Sequence, residues 1–176
     1  MLNWNNIETV FLDMDGTLLD LNFDNHFWLE FVPQRYADLH HTSLNESKKI
    51  LQPLFKGMEG KLEWYCLDYW SEQLNLDIAG LKVEIAGLIR VLPHVTDFLS
   101  ALQKSGKQVF LVTNAHPDSL SLKMEQSCLH TFFDSIICSH TLGFAKENQA
   151  FWQVFQQQPD WQVHSSVMID DSLAVL

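Results

Sequence analysis

The chain has 176 residues, 47% of them hydrophobic, which suffices for one ordinary core and a small accessory subdomain. Eleven Lys and Arg stand against 22 Asp and Glu, a formal net charge of -11, so a nucleic acid polymer, whose binding rests on many Lys and Arg contacts to phosphates, is a poor partner. No apolar stretch approaches the roughly 18 to 20 residues of a membrane helix. The N-terminus, Met1-Leu2-Asn3-Trp4-Asn5-Asn6, lacks the basic and apolar regions of a signal peptide. No membrane partner and a cytoplasmic location are therefore expected.

In chain order, Ile7 to Leu12 is a compact β-branched and aromatic run that predicts a buried strand. It closes on Asp13-Met14-Asp15-Gly16-Thr17. Side chains two apart in an extended segment point the same way, so Asp13 and Asp15 can face one ligand. One carboxylate can attack phosphorus while the other protonates the leaving oxygen and later deprotonates a water. Gly16 lets the backbone turn tightly with its N–H near a phosphate.

The interval from Leu18 to Arg90 has no convincing strand. Helical patterns run over Phe27 to Phe31, Ile50 to Phe55, Leu62 to Leu74 and Ile78 to Ile89, the last behind an N-cap at Asp77. This predicts an inserted α-helical subdomain above the proposed site. Cys66, Cys128 and Cys138 are odd in number and have neither CxxC nor metal-ligand spacing, so they read as idle reduced thiols and zinc is not expected.

Beyond the insert, Val95, Phe98, Leu99 and Leu102 predict a helix with Gly106 capping its end. Val109 to Val112 is a second strand, closing on Thr113-Asn114, and Ser135 to Cys138 is a third. A lone Lys146 follows. Phe151, Trp152 and Phe155 form a helical stripe that Pro159 stops, and a fourth strand, Val167 to Ile169, closes on Asp170-Asp171. A helix starting at Ser172 is cut short, so the C-terminal helix and a final strand are expected to be missing and the sheet to keep a raw edge.

Strand and helix alternate, which argues for an α/β fold: a Rossmann-like parallel sheet with right-handed crossovers. The polar groups that close the strands then meet at one sheet edge, where such sheets bind ligands. Two unit charges about 4 Å apart interact by roughly 1 kcal/mol in water and about 4 kcal/mol at an effective dielectric near 20. Asp13, Asp15, Asp170 and Asp171 therefore call for a cation, and an all-oxygen site suits Mg2+. Thr113 and Asn114 offer neutral donors to a phosphoryl group and Lys146 a point charge. The constellation points to magnesium-dependent phosphate ester hydrolysis.

Asp13-Met14-Asp15-Gly16-Thr17, then Thr113, Lys146 and Asp170-Asp171, resemble the four ordered motifs of the haloacid dehalogenase (HAD) superfamily of phosphatases. The resemblance implies Asp13 as the nucleophile that forms an aspartyl phosphate, Asp15 as general acid and base, and Thr113 and Lys146 as phosphate anchors. It also implies magnesium held by Asp13, the Asp15 backbone carbonyl and Asp170, with Asp171 supporting Lys146 or the water shell of the metal. The insert resembles the C1 cap of that superfamily, giving a HAD-like core at 1–17 and 91–176 and a cap at 18–90. The stretches around Asp13, from Trp64 to Leu74 and from Thr113 to Pro117 are similar to the bacterial GMP/IMP 5'-nucleotidase branch, which implies a purine mononucleotide as substrate. Trp64, Tyr65, Tyr69 and Trp70 could then stack on a purine or simply form the core of the cap. Tyr69 and His116 are candidate substrate contacts. The alternatives are a sugar-phosphate phosphatase or phosphomutase on the same scaffold, or a phosphate-binding module with impaired catalysis.

Overall fold

A computed structural model describes residues 2–157 and 161–176. Four parallel strands, β1 (Thr9–Leu12), β2 (Gln108–Thr113), β3 (Ser135–Cys138) and β4 (Ser166–Ile169), form one sheet in the order β3-β2-β1-β4. The register sets Leu12 beside Leu111 and Ile169, so the strands that carry Asp13, Thr113 and Asp170 end at one edge.

Alternation along the strands divides the core. Val10, Leu12, Val109 and Leu111 turn to one face, where they meet Leu99 and Leu102 of α7 (Val95–Lys104) and Met124 of α8 (Pro117–Ser127). Phe11, Phe110 and Val112 turn to the other face and pack on Phe151 and Phe155 of α10 (Gln149–Phe155). Both faces are thus covered, the usual condition of a parallel sheet. Each fully buried large apolar side chain contributes about 1.5 to 3 kcal/mol. The short α9 (Ser139–Leu142) follows β3 directly.

Residues between β1 and α7 form helices. α1 (Asn22–His26) passes through a π-helical turn at Phe27–Phe31 into α2 (Val32–His40), followed by α3 (Leu44–Lys56), α4 (Leu62–Tyr65), α5 (Leu67–Leu74) and α6 (Ile78–Glu84). Phe27, Leu51, Phe55, Leu67, Trp70 and Ile78 gather into an apolar cluster separate from the two beside the sheet. The chain leaves for this segment and returns from it side by side: the Asp20 N–H donates to the Arg90 carbonyl at 2.9 Å, and the Leu92 N–H to the Leu18 carbonyl at 2.9 Å.

Several sequence expectations change here. The helix expected over Leu62 to Leu74 is broken at Cys66, whose backbone is extended and whose Sγ accepts from the Tyr69 N–H as the N-cap of α5. The helix expected to run to Ile89 ends at Glu84, behind the Asp77 cap that the sequence predicts. Ile85 then leaves helical geometry and packs against both the sheet-side and the segment clusters. No helix starts at Ser172. Its N–H donates to Asp170 Oδ1 at 2.9 Å, and the chain turns instead. The stop expected at Pro159 lies outside the described residues. Among those residues, no helix is long and apolar enough to cross a membrane.

Candidate active site

Asp13 extends β1 by one rung, its N–H donating to the Ile169 carbonyl at 2.9 Å. Its carboxylate is buried and accepts from Lys146 Nζ at 2.5 Å. The same Nζ donates to Asp170 Oδ2 at 2.7 Å and to the Val112 carbonyl at 3.1 Å, which uses all three ammonium hydrogens. Backbone bonds fix the lysine: its N–H donates to Asn114 Oδ1 at 2.9 Å, and its carbonyl accepts from Trp152 Nε1 at 2.8 Å. One flexible side chain is thereby held where β1, β2 and β4 end.

Two carboxylates share that one cation, and a third stands beside them. Oxygens of Asp13, Asp170 and Asp171 lie within 4.8 Å of one another. Burial pushes the Asp13 carboxyl up to about 7; Lys146 opposes this, and Asp170 adds to it. Burial alone would lower the Lys146 ammonium, yet Asp13 and Asp170 raise it above its ordinary value. Three carboxylates against one lysine leave negative charge unbalanced, and the donors are all oxygen, so the set fits a hard divalent cation. Asp171 does not pair with Lys146. Its carboxylate lies against Gly16, where a Cβ would stand 2.2 Å from Oδ2, and the Gly16 φ of +85° admits few other residues. The N–H of Gly16, expected near the phosphate, donates instead to the Leu19 carbonyl at 2.8 Å.

The Asp15 carboxylate lines the same cavity as Asp13 but holds a different lysine. Lys123 Nζ, from α8, donates to Asp15 Oδ1 at 2.7 Å and to Asp24 Oδ2 at 2.6 Å, and Lys82 Nζ, from α6, donates to Asp24 Oδ1 at 2.7 Å. Two buried ammonium groups thus alternate with two carboxylates. Lys82 also lies over the Phe23 and Phe27 rings, at 4.7 and 4.6 Å. Burial would raise Asp24, but Lys123 and Lys82 hold it down to about 2, whereas burial leaves Asp15 raised above the ordinary carboxylate range. Two neighbouring carboxylates are driven apart in this way, Asp24 held ionised and Asp15 made easier to protonate.

Thr113 Oγ1 accepts from the Ala115 N–H at 3.0 Å, so its hydroxyl hydrogen remains to donate. Asn114 is more committed: besides receiving the Lys146 N–H, it donates through Nδ2 to Glu147 Oε2 at 2.9 Å. Glu147 Oε1 accepts from the Tyr65 hydroxyl at 2.5 Å, and burial together with that carboxylate raises the Tyr65 phenol above its ordinary value. These groups meet in a cavity of about 680 Å³. Its far wall, from the helical segment, includes Trp28, Phe55, Trp64 and Tyr65. Tyr69 and Trp70 do not line it. Trp70 is fully buried in the segment cluster, with Tyr69 set edge-on against it at 5.0 Å. His116 is buried and does line the cavity, its Nε2 3.6 Å from Asp68 Oδ2.

Sequence reasoning missed Lys123, Asp24, Lys82 and Glu147. A lysine between Leu122 and Met124 in a helix reads as a solvated group, and nothing local says that it is buried. Glu147 was the findable one, because it directly follows Lys146.

A family model for the haloacid dehalogenase-like hydrolases matches residues 7–175. GMP/IMP nucleotidase YrfG of Escherichia coli is 40% identical over 173 residues, covering 98% of this chain and 78% of that protein. Pyrimidine 5'-nucleotidase YjjG of the same organism is 22% identical, over 85% of this chain and 70% of its own length. Among solved structures, a HAD phosphatase from Thermococcus onnurineus matches with a TM-score of 0.81 at 21% identity, covering 96% of this chain and 79% of its own. The HAD-hydrolase YfnB from Bacillus subtilis, bound to magnesium, matches with a TM-score of 0.66 at 21% identity, over 96% and 82%. With its Asp13, Thr113, Lys146 and Asp170 at one sheet edge and these matches over nearly its whole length, the chain belongs to the haloacid dehalogenase-like hydrolases.

Proposed function

We propose that the chain is a magnesium-dependent phosphomonoester hydrolase of the cytoplasm that works through an aspartyl phosphate and prefers the purine 5'-mononucleotides GMP and IMP. The observation that carries the chemistry is the Asp13 carboxylate fixed at the end of β1 between Lys146 and the edge of one cavity that Asp15 also lines. An Asp13 oxygen attacks phosphorus, and the P–O bond to the ester oxygen breaks. Asp15 gives its proton to that leaving oxygen. The Asp15 carboxylate then takes a proton from the water that attacks the aspartyl phosphate, which frees inorganic phosphate and restores the Asp13 carboxylate. Thr113 holds a phosphoryl oxygen, Lys146 exchanges one of its carboxylate bonds for a bond to another such oxygen when substrate enters, and Asn114 Oδ1 orients Lys146 by accepting its backbone N–H. Asp13, Asp170 and the Asp15 carbonyl are the proposed metal donors, with Asp171 beside them. Magnesium, when bound, neutralises charge on the phosphoryl oxygens.

In this reading residues 1–17 and 91–176 are the catalytic core and 18–90 a cap. The paired crossings at Leu18, Asp20, Arg90 and Leu92 support those limits. The nucleotide preference rests on the 40% identity to a GMP/IMP nucleotidase and on the aromatic far wall, which can bury a purine ring. The deciding experiment is phosphate release, with and without Mg2+, from GMP, IMP, CMP, UMP, a set of sugar phosphates and p-nitrophenyl phosphate. GMP and IMP should lead. Sugar phosphates in the lead would remove the nucleotidase assignment, and no magnesium-dependent release from any of them would remove the phosphatase.

A further inference from the structure

Where α5 meets the turn after β2, three side chains of different chemistry converge at the border of the active-site cavity, which only His116 of the three lines. Ligand atoms of Cys66, Asp68 and His116 all lie within 4.8 Å of one another. His116 Nε2 stands 3.6 Å from Asp68 Oδ2. That separation is too long for a hydrogen bond. It matches the edge of a tetrahedron, about 3.3 to 3.8 Å, around an ion whose ligands sit about 2.0 to 2.3 Å away. A second observation points to the same place. The His140 ring packs edge-on against His116 at 5.1 Å, and its buried Nε2 has no hydrogen-bond partner among the described residues. Cys66 and His140 also line one small cavity.

We propose that Cys66, Asp68 and His116 form a binding site for a borderline-soft divalent cation of the zinc class, beside the unpartnered Nε2 of His140 and with water completing the tetrahedron. A thiolate and an imidazole select such an ion over magnesium, which takes oxygen. Loading releases the Cys66 thiol proton to solvent. His116 must present an unprotonated Nε2, so its proton moves to Nδ1, which gives up the Asp118 N–H that it accepts at 3.4 Å in the metal-free chain, beside the Asp118 carboxylate 3.7 Å away. Asp68 is exposed and gives the ion an entry path. Cys66 and Asp68 belong to the helical segment and His116 to the sheet side, so the ion ties one to the other. The sequence concealed this site because the ligands are far apart in the chain and show no motif spacing.

The test is a Co2+ titration of the whole chain in excess Mg2+, which keeps the carboxylate cluster occupied and needs no turnover. One equivalent of Co2+ should give a thiolate-to-cobalt charge-transfer band in the near ultraviolet that Zn2+ displaces. Cys66→Ser should lose the band. Serine is a preferred N-cap, so α5 keeps its start in that variant. Asp68→Asn, at an exposed position, should weaken binding about tenfold or more. The absence of a band in the native chain, its survival in Cys66→Ser, or its loss in Cys128→Ser instead would overturn the site. None of these outcomes bears on the phosphatase reading, which uses other residues.

Discussion

Lys123 holds Asp15 at 2.7 Å and Asp24 at 2.6 Å from one buried nitrogen, so its removal acts on the proposed acid and leaves the nucleophile in place. Lys123→Met keeps the length of the side chain. It should cut kcat on a purine nucleotide by about 10²-fold, the scale of acid–base assistance. The pre-steady-state release of p-nitrophenolate, a leaving group that needs little protonation, should fall far less; equal losses on both would mean that the lysine serves structure alone. Asp24 yields a stability prediction. Its folded pKa of about 2 lies below the unfolded value of 3.8, so its contribution is complete above about pH 4 and is lost as pH falls through about 2. Asp24→Asn should lower stability at neutral pH by about 2 kcal/mol, and the gap should close with acid. Denaturant titrations at several pH values measure this, and a gap constant with pH would contradict it. At this scale, the residues legible in sequence were those that close strands, because a carboxylate or hydroxyl straight after an apolar run needs no tertiary information to be located. Lys123 and Lys82 were not legible, since a helix keeps a lysine in water unless distant carboxylates meet it.

The helices between β1 and α7 form a body with its own apolar cluster, and the π-helical turn at Phe27–Phe31 brings Trp28 into the cavity wall. Such single-turn widenings are frequent at functional sites. Stacking of a base on an aromatic side chain is worth about 1 to 3 kcal/mol. Trp28→Ala, once its melting curve shows it folded, should therefore raise KM for GMP or IMP by about tenfold and leave p-nitrophenyl phosphate nearly unchanged. Equal effects on both substrates would argue that the wall does not touch the base. The sequence foretold that this segment is helical, because its apolar spacing is helical. It did not foretell which aromatics face the cavity. Trp64 and Tyr65 sit before the break at Cys66 and Tyr69 and Trp70 after it, so a continuous helix through that point misplaces the second pair. The helices α2 and α8 went unread for lack of a clean apolar stripe; Pro117 followed by Asp118 was a start signal available for α8.

Across the whole molecule the net charge is -11, and at the sheet edge three carboxylates face one lysine, a local excess of two negative charges. Magnesium binding to the native state alone should stabilise it by about 2.7 kcal/mol at a hundredfold excess over Kd. For a chain of this size that raises Tm by roughly 5 to 10 °C. Asp170→Ala should abolish the shift, and a Tm indifferent to magnesium would count against the metal site. The central claim is that Asp13 takes the phosphoryl group. The most direct measurement is mass spectrometry of the acid-quenched Asp15→Asn variant during reaction with p-nitrophenyl phosphate, because this leaving group departs without the acid while the missing base slows hydrolysis of the intermediate. The account predicts one phosphoryl group on the peptide carrying Asp13, absent when Asp13→Asn is added. Release of p-nitrophenolate with no phosphoryl group on that peptide would contradict it.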